Sequence, residues 1–252
     1  MSYRISILDK SPLAPGETAA QALARTLTLA QQAERWGYHR FWIAEHHNAE
    51  QLASPSPELL IAWILGQTRQ IRVGSGGVML QHYSPYKVAE NFNLLASLAP
   101  GRVDLGVGKA PGGLPLATRA LQQGIHQHEK GSFAEQLTQL DNWLTLTENQ
   151  GEESLRATPI PPRRADGFLL GASVDSARLA ASCATITCTA TITSRRLNSR
   201  QFVSTSCNKF LSPLRCAAKT KFQSRLAARR ALSTLAPSRK PSARRGGMGV
   251  AR

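Results

Sequence analysis

The 252-residue sequence predicts an α/β fold built on a parallel sheet, and three observations lead there. Strand-like and helix-like segments alternate through five units in the first 182 residues, with short connections. Two of the strand segments, "FWIA" from Phe41 and "GFLLGA" from Gly167, are apolar throughout, as strands covered on both faces are. The chemically distinctive residues cluster just after strands, where α/β proteins place their sites. An open doubly wound sheet and a (βα)₈ barrel share these properties, and the pattern does not separate them.

Taken in order, Tyr3–Leu8 reads as a first strand. Thr18–Trp36 repeats Leu23, Leu27 and Ala30 at helical spacing and stops at Gly37, which suits a helix C-terminus. Arg40–Ala44 is the second strand. Ser56-Pro57-Glu58 then supplies an N-cap, an N1 proline and a first-turn acid for a helix through Leu59–Leu65. Ile71–Gly74 is the third strand. Ser84-Pro85 opens a third helix whose buried stripe is Val88, Phe92 and Leu95, and Pro100-Gly101 ends it. Val103–Val107 is the fourth strand and Phe133–Leu146 the next helix. After a polar, proline-rich excursion over 151–166 come a fifth strand, Gly167–Gly171, and a helix over Asp175–Ala181.

Charge divides the chain in two. The net charge of +15 would suit a nucleic-acid binder, but residues 1–175 hold all 16 acidic residues and 15 basic ones, a net of −1. Residues 176–252 hold the other 16 basic residues and no acid, where ordinary composition gives about nine acids. All four cysteines, Cys183, Cys188, Cys207 and Cys216, also fall in this tail, at spacings that match no zinc motif, so no metal site is expected. The tail has no Tyr or Trp, and only Phe202, Phe210 and Phe222 for stacking on bases, which argues against a nucleic-acid-binding arm. The longest apolar run, Leu59–Leu65, is too short to span a bilayer, and no signal-peptide pattern opens the chain; a cytoplasmic protein is the expectation.

Three strand ends carry the candidate chemistry. Glu45-His46-His47 follows the second strand, and imidazoles there can serve as base, donor or ligand. Adjacent residues of an extended segment point to opposite sides, so at most one of the two faces a pocket. "GSGGVML", from Gly74, puts three glycines in and after a strand, where they weaken it unless a backbone or planar ligand must come close or a bulge is needed. "GVGKAPGG", from Gly106, has proline where a dinucleotide loop needs its third glycine, and Lys109 in it is either an anion contact or a solvated lysine. Ser173 and Ser176 straddle a helix start, where hydroxyls suit a phosphate or, on sequence grounds the better reading, simple capping.

Together, "ISILDKSPL", "GYHRFWIAEHHN", "RVGSGGVMLQHYSPYKVAENF" and "GRVDLGVGKAPGG" resemble, in order, the strand-end motifs of the bacterial luciferase-like flavin monooxygenases, over about residues 1–182. The resemblance implies a TIM-type (βα)₈ barrel, here truncated after about five βα units. It implies an enzyme that acts on paired donors, taking reduced FMN from a flavin reductase and using O₂ to oxygenate a small organic substrate. A deazaflavin in place of FMN is the alternative cofactor, and a homodimer the implied assembly. By the same resemblance His46 is the catalytic residue, beside the flavin and assisting proton transfer. Gly76 and Gly77 fall at a non-proline cis peptide against the isoalloxazine ring. Lys109 stands where relatives carry a phosphate-binding arginine, and Ser173 and Ser176 match hydroxyls that hold that phosphate.

Two departures stand out. Lysine at 109 keeps the charge but lacks the planar fork of arginine, which implies lower FMN affinity. Gln81 replaces a common proline, which should loosen its turn. Beyond the motifs, the strand–helix rhythm is expected to end near Ala181. Residues 183–252 read as a foreign, disordered tail, of the composition a shifted reading frame produces, and they put activity of this chain in question.

Overall fold

The computed structural model describes residues 4–125, 130–145, 155–171 and 173–189. Six strands form one sheet: β1 (Ser6–Asp9), β2 (Arg40–Ile43), β3 (Arg72–Met79), β4 (Val103–Gly108), β5 (Asp166–Leu170) and β6 (Ile186–Thr189). Every neighbouring pair is parallel and the spatial order follows the chain, β1 to β6. A doubly wound sheet reverses its order at a switch point, whereas a barrel wall does not. Topology thus selects the barrel, of which six consecutive strands are described.

The helices are α1 (Ala19–Arg35), α2 (Pro57–Gly66), α3 (Pro85–Leu98), α4 (Pro115–Leu121), α5 (Phe133–Thr145) and α6 (Val174–Ala181). Thr18 starts α1 with a full capping box: its hydroxyl accepts from the Gln21 N–H, and the Gln21 side chain accepts from the Thr18 N–H. Gly37 follows α1 with a φ of 73°, the left-handed conformation that favours glycine at a helix end. Ser56 and Ser84 precede their proline-initiated helices but make no side-chain cap bond. Val88, Phe92 and Leu95 are buried along α3 as the spacing predicts.

Alternation divides the sheet residues between two faces. Phe41 and Ile43 of β2, Val73 of β3 and Val103, Leu105 and Val107 of β4 are buried and join Ala30 of α1, Ile61 and Ile64 of α2 and Phe92 of α3 in the core. The face turned away from the helices carries Leu8, Trp42, Gly74, Gly76, Gly106, Phe168 and Leu170. At its N-terminal end lies a charged layer. Arg40 Nε donates to Asp104 Oδ2 at 2.8 Å, Arg72 reaches Asp104 and, at 2.7 Å, Asp166, and the Asp104 side chain is fully buried. The Arg40 guanidinium also lies 5.0 Å from the Phe168 ring centre.

Three readings need correction. The third strand does not stop at Gly74 but runs to Met79, because β2 and β4 pair with it on either side; its register with β4 shifts between Gly76 and Val78, so Gly77 is a bulge residue. A short helix, α4, forms where none was read. Order also continues past residue 182: β6 pairs with β5, and Asp141 of α5 accepts from the backbone N–H groups of Ala184 (2.7 Å) and Thr185 (2.9 Å). Composition marked the change in charge, but β-branched Ile186 and Thr187 still suit a strand. The disorder expected for the rest of the tail lies outside the described residues, as do the nucleic-acid arm that its composition disfavours, Cys188's side chain, Cys207 and Cys216. Among the described residues no group of His, Cys, Asp and Glu could hold a metal, and no helix is long and apolar enough to cross a membrane.

Candidate active site at the strand ends

Because all strands are parallel and in register, their C-terminal ends meet at one end of the sheet. A cavity of about 290 Å³ lies there, lined by Gly76, Gly77, Met79, Gly108, Lys109, Ala110, Leu170 and Gly171. Three of the sequence-derived residues, Gly76, Gly77 and Lys109, therefore share one wall. The Gly76–Gly77 peptide is cis. A Cβ on Gly77 would stand 2.4 Å from Leu170 Cδ1 and 2.8 Å from the Gly106 carbonyl oxygen, so no side chain fits, and bare backbone faces the cavity.

Ser173 and Ser176 are not among the residues that line this cavity; Ser176 packs directly against Gly171, which is. Ser173 is the N-cap of α6: its Oγ accepts from the Ser176 N–H at 3.1 Å and lies 3.0 Å from Ser176 Oγ. The capping role is present.

His46 and His47 diverge as an extended segment requires. His47 Nε2 lies 2.6 Å from Glu45 Oε1, and Glu45 is fully buried. The same carboxylate accepts from Tyr83 Oη at 2.8 Å and from the Met79 N–H at 3.0 Å, fastening the end of β2 to the end of β3. Burial first, and the Glu45 charge second, push the Tyr83 phenol well above its ordinary range, so it stays a donor. His46 takes no part in this network. Its backbone N–H donates to the Ser54 carbonyl at 2.9 Å, and its Nδ1 is buried without a hydrogen-bond partner. Burial, then Lys10, then His47 hold its pKa below the usual histidine value, so the ring is neutral at neutral pH. A neutral imidazole with an open nitrogen can accept a proton, although His46 is not among the residues that line the cavity.

Lys109 is exposed, and among the described residues no carboxylate pairs with it. Its loop is tied down by neighbours. Gln81 Nε2 donates to the Lys109 carbonyl at 2.7 Å, His82 Nε2 to the Pro111 carbonyl at 2.8 Å, and the His47 N–H to the Gly112 carbonyl at 2.8 Å. Gln81 thus ties its turn to the Lys109 loop through a side-chain donor, which proline does not have. Further along, Pro111 and Gly113 of this loop border a second cavity of about 490 Å³ with Pro115, Thr118, Arg119 and Gln122.

The sequence did not single out Glu45, Tyr83, His82 or Gln122 for a role. The nearest signal was "HYSP" directly after the glycine strand, which places two polar aromatic residues at a strand end.

Residues 1–206 match the family profile described as luciferase-like monooxygenase. The chain is 51% identical over 180 residues to N-acetyl-S-alkylcysteine monooxygenase of Bacillus subtilis (strain 168), covering 71% of this chain and 54% of that protein. The crystal structure of apo-MsnO8 superposes with a TM-score of 0.64 at 40% identity, over 72% of this chain and 53% of that one. The oxygenating constituent of 3,6-diketocamphane monooxygenase from Pseudomonas putida, solved with FMN, shares the fold, with a TM-score of 0.56 at 24% identity over 71% and 55% of the two chains. The chain spans about half the length of the relatives it matches.

Proposed function

From the premise that this chain belongs to the luciferase-like monooxygenase family, we propose that its strand-end cavity binds FMN and that the whole protein is an FMN-dependent monooxygenase of small organic molecules. The observation that carries this reading is the cavity itself: bare glycine backbone on one side, Leu170 and Met79 beside it, and an unpaired lysine at the edge. That combination suits a flat, apolar ring system with an anionic arm.

Gly76 and Gly77 let the ring lie against backbone, and Leu170 and Met79 cover it from water. Lys109, with the Ser173 and Ser176 hydroxyls and the N-terminus of α6, holds the phosphate. When bound, reduced flavin supplies the two electrons with which O₂ delivers one oxygen atom to the substrate and the other to water. His46 holds or moves a proton at Nδ1, while Glu45, pinned by His47, Tyr83 and the Met79 amide, keeps the β2 end in place. A separate flavin reductase supplies the reduced cofactor. The relative at 51% identity makes N-acetyl-S-alkylcysteines the first substrate class to assay.

Titration with FMN, reduced FMN and a deazaflavin tests the cofactor directly, and tighter binding of the deazaflavin would replace FMN in this reading. Lys109→Ala should weaken FMN binding about tenfold, the worth of one charge-assisted contact. His46→Ala should leave binding within about twofold and lower turnover by about 10²-fold or more, the usual contribution of a proton-transfer group. A His46→Ala protein that turns over at the original rate would remove His46 from the mechanism.

A further inference from the structure

We infer that Gln81 is a positioning residue for the anion-holding Lys109, an inference that rests on the flavin reading above. Lysine is a point charge on a four-carbon stem and loses several rotamers' worth of freedom whenever it must hold one place. Lys109 has no ion pair among the described residues to steady it, so where its ammonium stands depends on where its backbone stands. That backbone belongs to the loop over 109–113, which has neither helix nor strand and borders both cavities.

Three donors hold this loop by its carbonyls, and only Gln81 acts on Lys109 itself, through the 2.7 Å bond from its Nε2. Gln81 is in turn held from behind. Gln122 Nε2 lies 3.2 Å from the Gln81 carbonyl and 3.1 Å from His82 Nδ1. Because His82 Nε2 must carry its proton to donate to Pro111, Nδ1 is left as the acceptor that Gln122 needs. The turn after β3 and the loop after β4 are therefore one hydrogen-bonded assembly. Any residue at 81 without a side-chain donor would lose the bond to Lys109 and release that loop.

Measuring binding of FMN and of riboflavin, which has the ring but no phosphate, tests the inference on the full chain. Gln81→Met keeps the length and removes the donor. It should raise the FMN Kd about fivefold, the worth of one hydrogen bond, and leave the riboflavin Kd within about twofold. In a Lys109→Ala background the same substitution should add less than about twofold. Equal losses for FMN and riboflavin, or a full additional loss in that background, would overturn the inference while leaving the flavin reading intact. A parent protein that binds FMN no tighter than riboflavin removes the anion role of Lys109, and the inference with it. Binding of neither ligand refutes the flavin reading itself. Should Gln81→Met fail to fold, as circular dichroism would show, Gln122→Met loosens the same assembly from behind and must give the same FMN-selective loss.

Discussion

His39, one position before β2, is a second imidazole with a buried and unpartnered nitrogen, its Nε2. Burial, followed by the charges of Arg40, Arg4 and Arg72, lowers its pKa to about 4. The unfolded chain therefore takes up this proton first, near pH 6.5, and the folded chain only near 4. Stability contributed by neutral His39 is complete above the unfolded value and is lost as the pH falls from about 6.5 to about 4. Urea midpoints measured across that range should fall less steeply for His39→Gln than for the parent. At this scale the sequence told much about His46 and little about its supports. Strand alternation predicted that the two imidazoles diverge, and only the family resemblance chose His46 between them. The Glu45–Tyr83 bond joins residues 38 positions apart and follows from parallel pairing of β2 with β3, which no local pattern encodes.

Asp141 shows how one side chain launches an element. Its carboxylate receives the N–H groups of Ala184 and Thr185 and the Thr185 hydroxyl, so β6 leaves α6 already aligned with β5. Asp141→Ala strands these donors and should cost about 1–3 kcal/mol. Hydrogen exchange at the Ile186–Thr189 amides should then quicken while that of β3 and β4 holds. Helices with caps or proline starts were legible in the sequence, and so were strands with apolar runs. The second half of β3 was not, since glycine depresses strand propensity and only the flanking strands restore it. Charge composition placed a boundary after 175 and the strand–helix rhythm one near 182, but a parallel strand needs β-branched residues and a neighbour's edge, and both extend beyond those points.

On the whole molecule, α2 and α3 pose the main question. The outward residues of α2, Leu59, Ala62, Trp63 and Gly66, include no polar side chain, and the neighbouring α3 adds Leu94 and Leu98; Leu59 is 69% and Leu98 68% exposed. A surface helix ordinarily turns charged residues to water. Large and small residues side by side on one face suit pairing with a second copy, so we propose the homodimer through this face. Sedimentation should give a dimer for the parent and a monomer of unchanged circular dichroism for Trp63→Lys. The parallel α/β class was legible because its rhythm is local; the consecutive strand order that selects a barrel over a doubly wound sheet was not, and only the family resemblance pointed to it. Beneath Trp42, the lattice of Arg40, Arg72, Asp104 and Asp166 spans four adjacent strands, β2 to β5, around one buried carboxylate, that of Asp104. Four charges at that end repel an apolar guest, whereas the described cavity opens among glycines, Met79 and Leu170 at the other, so substitutions there can retune what is admitted while the charged foundation holds these strands together.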